Sequence, residues 1–207
     1  MGFYLNKTPK IIRPLAKDLI WSFPGKTSTL YLTFDDGPIP NVTPAVLAIL
    51  DEFNAKATFF CVGENVKKHP DIYKMILEKG HSVGNHTYNH LNGWKSDNNE
   101  YKENILEAEN YITSSLFRPP YGKITRSQIK LLKSDYKIVM WDVLSGDFDT
   151  STSPEKCANN VIKNASEGSI IVFHDSIKAE KTMLKSLPLV LEHFAKLHFE
   201  FCSIPMA

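Results

Sequence analysis

Residues 29–62 read TLYLTFDDGPIPNVTPAVLAILDEFNAKATFFCV. Thr29 to Phe34 and Ala57 to Val62 are short runs rich in β-branched and aromatic side chains, the composition of strands. Between them, Thr43 to Phe53 carries its apolar residues at helical spacing. A strand, a helix and a strand in that order predict a crossover unit whose two strands run parallel. The same alternation continues outward. Further strands are expected at His81–Gly84, Ser115–Arg118, Lys137–Val143, Ser169–His174 and Phe199–Ile204, and further helices at Pro70–Glu78, Asn98–Ile112, Thr125–Lys133, Pro154–Asn164 and Lys181–Leu197. Ser153 and Pro154 read as an N-cap and first helical residue, and polar Asn92–Asn99 as a loop. The fold class is therefore α/β, built on about seven mainly parallel strands, too few for a standard eight-stranded barrel.

With 207 residues and no linker able to divide it, the chain reads as a single domain. Residues 1–28 precede the first strand. In Ile11–Trp21, one helical face carries Ile12, Leu15, Ala16, Leu19 and Ile20, the other Arg13, Lys17 and Asp18, with Pro14 in the first turn. That pattern predicts an N-terminal helical extension, residues 1–28, packed on a domain of residues 29–207.

Basic and acidic residues nearly balance, 24 against 23, which leaves no field to draw the chain onto nucleic acid or anionic lipid. No apolar run approaches the length of a membrane span. The first residues lack the order of a secretory signal, so cytoplasmic residence is the expectation. Cys61, Cys157 and Cys202 are widely spaced and odd in number, and read as free thiols. Nothing in the sequence bears on oligomeric state.

Nearly every polar cluster able to do chemistry falls at the carboxyl end of an expected strand, where active sites of parallel α/β folds gather. In Thr33-Phe34-Asp35-Asp36-Gly37-Pro38 an apolar strand ends in adjacent carboxylates. Such neighbours repel unless a cation neutralises one and a donor such as arginine steadies the other, so one is expected to bind metal and the other to act as base. An Asx-turn followed by a solvated aspartate is the alternative. In His86-Thr87-Tyr88-Asn89-His90 the imidazoles are four apart and share a face if the stretch makes a helical turn. With a carboxylate from another strand they form a two-histidine, one-carboxylate site with positions open for water and substrate; surface histidines are the alternative. His81 reads as structural.

Phe117-Arg118-Pro119-Pro120-Tyr121-Gly122 places an arginine before two stiffening prolines, a loop able to fix a guanidinium and a backbone N–H. A proline turn with a surface arginine is the competing reading. Trp141 to Asp149 and Ile170 to Asp175 begin in strands and end in ionisable groups. A carboxylate near His174 would raise its pKa and keep it protonated, and Asp147 is the residue selected for that part. Asp142, Asp149 and Asp175 read as turn or surface carboxylates.

Taken in order, TFDDGP, HTYNH, RPPYG, the DF within SGDFD, and VFH resemble the five motifs of the polysaccharide deacetylases, the NodB-homology carbohydrate esterases of family four. The likeness runs from about Tyr31 to Ile204. It implies a distorted (β/α) barrel with fewer than eight strands, and hydrolysis of N-acetyl, with O-acetyl also open, from N-acetylglucosamine-type oligo- or polysaccharides. By the same resemblance Asp35 is the general base, Asp36, His86 and His90 hold one divalent metal, zinc by default with cobalt or nickel also suited, and His174 is the general acid. Arg118 would steady Asp35, Asp147 would tune His174, and the main-chain N–H of Tyr121 would help polarise the acetyl carbonyl. Phe148 and Val172 stand where the family usually has Trp and Leu, and with Pro120 would line the substrate pocket. The elementary chemistry agrees: an acidified water attacks the amide carbonyl and a cationic acid protonates the amine that leaves. Two other readings use the same scaffold, a hydrolase of small amides or cyclic imides, and an inactive sugar-binding protein. The partner is then an acetylated saccharide.

Overall fold

The computed structural model describes residues 4–9, 11 and 16–205. Its strands are β1 (Leu19–Ile20), β2 (Thr29–Asp35), β3 (Ala57–Cys61), β4 (Ser82–Asn85), β5 (Leu116–Phe117), β6 (Lys137–Val139), β7 (Val143–Leu144), β8 (Ile170–His174) and β9 (Glu200–Phe201). Its helices are α1 (Val42–Glu52), α2 (Gly63–Lys68), α3 (Pro70–Glu78), α4 (Asn98–Glu109), α5 (Arg126–Leu132), α6 (Pro154–Ile162) and α7 (Glu180–Lys196). The strands pair in the order β1-β6-β5-β4-β3-β2-β8-β7, all parallel, with β9 beside the start of β2. This is a single-domain, distorted (β/α) barrel.

Alternation along β2 sorts its side chains into two environments. Leu30, Leu32 and Phe34 join the layer between sheet and helices, where Phe34 stacks on Phe59 and Phe173 at ring distances of 5.1 and 6.0 Å. Tyr31 has the opposite parity and packs in the barrel interior with Phe60, Leu116, Val139 and Ile170. Thr33 and Asp35 share the parity of Tyr31, so the same strand that builds the core also delivers a carboxylate at its carboxyl end. A strand buried on both faces reads as a nearly continuous apolar run, which is why β2 is conspicuous in the sequence.

Several expectations require correction. The run Lys137–Val143 is two strands: β6 and β7 lie near opposite ends of the strand order, and Met140–Asp142 crosses between them. Along that crossing Met140 N–H donates to Ile20 O (2.7 Å) and Asp142 N–H to Ile170 O (3.0 Å), so the open edges of the sheet are drawn together without a regular ladder. Two further segments were not anticipated. Helix α2 is too short, at six residues, to show an apolar period, and β1 replaces the C-terminal part of the helix expected over Ile11–Trp21. Residues 12–15 of that helix lie outside the described residues. Leu19 and Ile20 are extended because the edge of β6 offers them backbone partners and apolar cover on both faces.

Residues 6–8 run along the other edge. Lys7 bridges Val143 antiparallel, Leu144 N–H donates to Asn6 O (2.9 Å), and Thr8 N–H to Asp142 O (2.9 Å). Asp142 is therefore buried, accepting from Lys7 Nζ at 2.7 Å and Ser169 Oγ at 2.5 Å, not the surface carboxylate expected. His81 is structural as expected: Nδ1 accepts from Ala57 N–H, and burial pushes the imidazole down to about 4. Cys61, Cys157 and Cys202 are unpaired. No helix among the described residues is long and apolar enough to cross a membrane.

Gly168 shows how tightly the strand entries are packed. It has a left-handed φ of +75°, and a Cβ there would stand 2.0 Å from the carbonyl oxygen of Phe23. Gly168→Ala is expected to cost about 1–3 kcal/mol through overlap with backbone that cannot swing aside and roughly 1 kcal/mol more for the left-handed conformation. Thermal unfolding of the variant checks this, and an unchanged Tm contradicts the packing described.

Candidate active site

The carboxyl ends of β2, β7 and β8, with the loops after β4, β5, β6 and β7, surround a cleft of about 480 Å³. Asp35 and Asp36 part company at the end of β2 because Asp36 takes a left-handed φ of 87°, a conformation non-glycine residues hold only where surrounding contacts enforce it. Here Asn65 Nδ2, on α2, donates to Asp36 O at 2.7 Å, and Val62 N–H donates to Gly37 O at 2.9 Å. Asp175 is buried beneath this turn, accepting from Gly37 N–H (3.0 Å) and Thr43 Oγ1 (2.5 Å). Burial first, and Asp36 next among the groups that raise it, push its carboxyl to about 8, so the surface role expected for Asp175 is also corrected.

Asp35 turns into the barrel, where the fully buried guanidinium of Arg118 meets it: Nη1 lies 2.6 Å from Asp35 Oδ1 and 2.7 Å from Thr33 Oγ1. Arg118 Nε and Nη2 donate to the carbonyls of Val139 (3.2 Å) and Met140 (3.0 Å), and its plane lies 4.1 Å from the ring centre of Phe60. The arginine is thus no surface group but the polar centre of the barrel top.

Asp36 faces two imidazoles. His90 Nε2 is 3.3 Å and His86 Nε2 3.9 Å from Asp36 Oδ1, and donor atoms of the three residues all lie within 4.8 Å of one another. The histidines converge without the helical turn expected of HTYNH. Residues 86–90 form a loop, with left-handed Thr87 and His90, held by Asn85 Oδ1 on Thr87 N–H (2.8 Å) and Thr87 Oγ1 on Leu91 N–H (2.9 Å). His86 Nδ1 lies 2.8 Å from Arg118 O, and since a carbonyl only accepts, Nδ1 carries the hydrogen and Nε2 presents a lone pair. Burial, and then the neighbouring His90, hold His86 well below the usual imidazole range, and burial also lowers His90. Two neutral imidazoles and a carboxylate are the donor set a divalent transition metal takes, so the residues present fit such an ion.

His174 ends β8 directly opposite Asp35 in the β2–β8 register. Both oxygens of buried Asp147 engage it, Oδ1 at 2.8 Å from Nδ1 and Oδ2 accepting its main-chain N–H at 2.7 Å. Burial alone would lower this imidazole. Asp147, then Asp36 and Asp35, outweigh burial and raise it to about 9.

Phe148 packs edge-on to His174, ring centres 5.2 Å apart, and Val172, Leu144 and Trp141 complete an apolar wall. Pro120 departs from expectation. It is buried at the start of the short turn Pro120–Gly122 and does not line the cleft. Tyr121, expected to serve through its main chain, sits in that turn with φ 60° and also lines the cleft with its side chain, whose hydroxyl is 3.0 Å from His90 Nδ1. Tyr121→Phe is expected to weaken metal binding about 10–100-fold, the usual cost of losing a partner behind a ligating imidazole, with the main chain intact. Titration against a competing chelator measures it, and equal affinity would show that the hydroxyl does not orient His90.

Tyr4 also lines the cleft: its ring lies 5.0 Å from that of Phe148 and its hydroxyl donates to Asp149 Oδ2 at 3.1 Å. Asp149, read as a turn carboxylate, is half-buried and does accept from Ser151 N–H in a turn, at 3.0 Å. Nothing local in the sequence marks Tyr4, because its partners are 144 and 145 residues away.

Comparison with known proteins places this geometry among carbohydrate-active proteins. The sequence model of the polysaccharide deacetylases matches residues 24–137. A peptidoglycan-N-acetylglucosamine deacetylase of Bacillus cereus is 33% identical over 191 residues, covering 89% of this chain and 90% of that protein. A chitooligosaccharide deacetylase of Azorhizobium caulinodans is 34% identical over 165 residues, covering 76% of this chain and 78% of that one. Among solved structures, a peptidoglycan N-acetylglucosamine deacetylase in complex with 4-naphthalen-1-yl-N-oxidanyl-benzamide superposes with a TM-score of 0.88 at 33% identity, covering 96% of this chain and 95% of that chain.

Proposed function

Because the chain belongs to the polysaccharide deacetylase family, we propose that it hydrolyses the N-acetyl groups of N-acetylglucosamine residues in oligo- or polysaccharides, using one divalent metal, zinc first, held by Asp36, His86 and His90. The observation that carries this reading is the pairing of Asp35 and His174 on neighbouring strands, each tied to a buried partner of opposite charge, on one cleft with the three metal donors. The metal supplies Lewis acidity, acidifying water and polarising a carbonyl.

The chain's own residues do the rest. Arg118 occupies Oδ1 of Asp35, which leaves Oδ2 to accept a proton from the attacking water. The new carbon–oxygen bond turns the amide into a tetrahedral oxyanion, and the main-chain N–H of Tyr121 donates to that oxygen. His174, its Nδ1–H held by Asp147, gives the proton on Nε2 to the amide nitrogen, so that the carbon–nitrogen bond breaks to release acetate and a free amine. Tyr4, Phe148 and Val172 exclude water from the methyl side and limit the size of the acyl group.

Acetate release from N-acetylglucosamine oligomers and peptidoglycan fragments tests the reading. Chelator-treated protein is expected to be silent, and refilling with zinc, cobalt or nickel to restore turnover, with the most effective ion naming the metal. Turnover indifferent to chelation, or a refilled enzyme that releases no acetate, would sink it.

A further inference from the structure

Asp175 follows the proposed proton donor at the end of β8 and is fully buried, yet the mechanism above leaves it without a task. Its contacts converge on one point of the chain. Its main-chain N–H donates to Asp35 O at 3.1 Å, and its Oδ1 accepts from Gly37 N–H at 3.0 Å. Those are the peptide groups immediately before and after Asp36, so a single residue grips the chain on both sides of a proposed metal donor. Two planar peptides joined at one Cα have only φ and ψ between them. With both planes held, the left-handed φ of 87° at Asp36 is held as well.

The plane between Asp36 and Gly37 is also tied at its opposite edge, where Asn65 Nδ2 donates to Asp36 O at 2.7 Å. Asp175 is in turn fixed by Thr43 at the start of α1. Thr43 Oγ1 accepts from Ile39 N–H at 2.8 Å and so turns its own hydrogen toward Asp175 Oδ2, 2.5 Å away. The arrangement requires the glycine, because a Cβ at residue 37 would fall on the Asp175 carboxylate. A non-glycine residue keeps a left-handed backbone only while such contacts enforce it. Once released, Asp36 would turn Oδ1 away from His90 Nε2 and His86 Nε2, now 3.3 and 3.9 Å from it.

We infer that Asp175 is a positioning residue for the metal site: by clamping both peptides that flank Asp36, it aims that carboxylate at His86 and His90. Standing next to His174, it also keeps the proposed proton donor in register with the turn that carries the proposed metal donor. The inference rests on the deacetylase reading, in which Asp36 holds the metal.

The test titrates cobalt(II) into metal-free wild type, Asp175→Ala, Asp175→Asn and Thr43→Ala. Affinity is read against a competing chelator, and the visible absorption of the bound ion reports the arrangement of its donors. Thermal unfolding of each metal-free protein is the folding control. Asp175→Ala is expected to weaken binding about 10–100-fold, as for other partners behind a ligand, and to alter the absorption band. Asp175→Asn keeps an oxygen for Gly37 N–H and an N–H for Thr43 Oγ1, so it should recover most of the affinity and the wild-type band. Thr43→Ala releases only Oδ2; it should show a smaller loss, and it decides the matter if Asp175→Ala does not fold. Wild-type affinity and band in folded Asp175→Ala, or in Thr43→Ala in its place, overturn the inference and leave Asp175 a packing group whose loss lowers only the Tm. Acetate release from N-acetylglucosamine oligomers is measured alongside. Metal binding altered as expected, with no acetate released by loaded wild type, supports the positioning role and refutes the deacetylase reading; a wild type that binds no cobalt overturns both.

Discussion

His174→Ala is expected to lower kcat roughly 10²–10⁴-fold, the range a positioned proton donor contributes, because the departing amine is then expelled unprotonated. Asp147→Asn is the more informative companion. It keeps the shape of the side chain that grips His174 through Nδ1 and the main chain, but removes the negative charge. In the wild type that charge overcomes the effect of burial and lifts the imidazole from 6.5 to about 9, with smaller help from Asp36 and Asp35. As the proposed acid, His174 is thus protonated at neutral pH, and activity is expected to fall on the alkaline side as it loses its proton. A divalent cation against Asp36 cancels part of the pull, so the alkaline limb of the loaded enzyme is expected between 6.5 and about 9. In Asp147→Asn burial is left less opposed and the limb moves to lower pH. Stability follows the same sign. A histidine whose folded pKa is raised adds stability that is complete below its unfolded pKa and disappears as pH rises through the folded one. Wild type should therefore exceed Asp147→Asn in stability most at acid to neutral pH, with the curves converging above about pH 9. A pH profile that does not move in the variant would remove Asp147 from this role.

Arg118→Leu should be the most damaging single change to the folded state, on the order of 3–5 kcal/mol, because it strips the counter-charge from buried Asp35 and leaves a half-broken pair. The loss spreads beyond one ion pair. Thr33 Oγ1 and the carbonyls of Val139 and Met140 lose their donors together, and Phe60 loses the cation over its face. Arg118→Lys is expected to recover little of this, since one ammonium cannot point in all the directions the planar fork serves. The midpoint of urea unfolding and kcat should fall together. A variant with wild-type stability would show that water reaches Asp35 freely, against its 4% exposure. Arg118 O also fixes Nδ1 of His86, so the same residue orients Asp35 through its side chain and His86 through its main chain.

How much of this was legible in the sequence follows from whether each feature is local. The strand ending in Asp35 and Asp36, the strand ending in His174, and the helices that flank them are written in continuous apolar runs and helical spacing, and appear close to where they were expected. His86 and His90 were read together for a geometric reason that does not hold, since a loop with two left-handed residues, not a helical turn, aims them at Asp36. Asp142 and Asp175 looked like turn carboxylates because sequence position says nothing about what closes over them, here Lys7 with Ser169 and Gly37 with Thr43. The split of residues 137–143 was hidden because both halves are equally apolar; only the distant partners of each half distinguish them. Tyr4 left no trace at all.

The contact between the N-terminal segment and the far end of the chain has a consequence for the protein during its synthesis. Lys7 meets Val143, Tyr4 meets Phe148, and β2 needs β8, whose last residue is His174. Residues 4–7 therefore wait through the synthesis of about 140 more before they find these partners, and the cost of closing such long loops is met only then. A chain arrested after β6 holds the three proposed metal donors and Asp35 with Arg118, but neither His174 nor Phe148 and Val172. On the proposed mechanism, nascent fragments of this protein should hold the metal-binding residues before they can turn over any substrate.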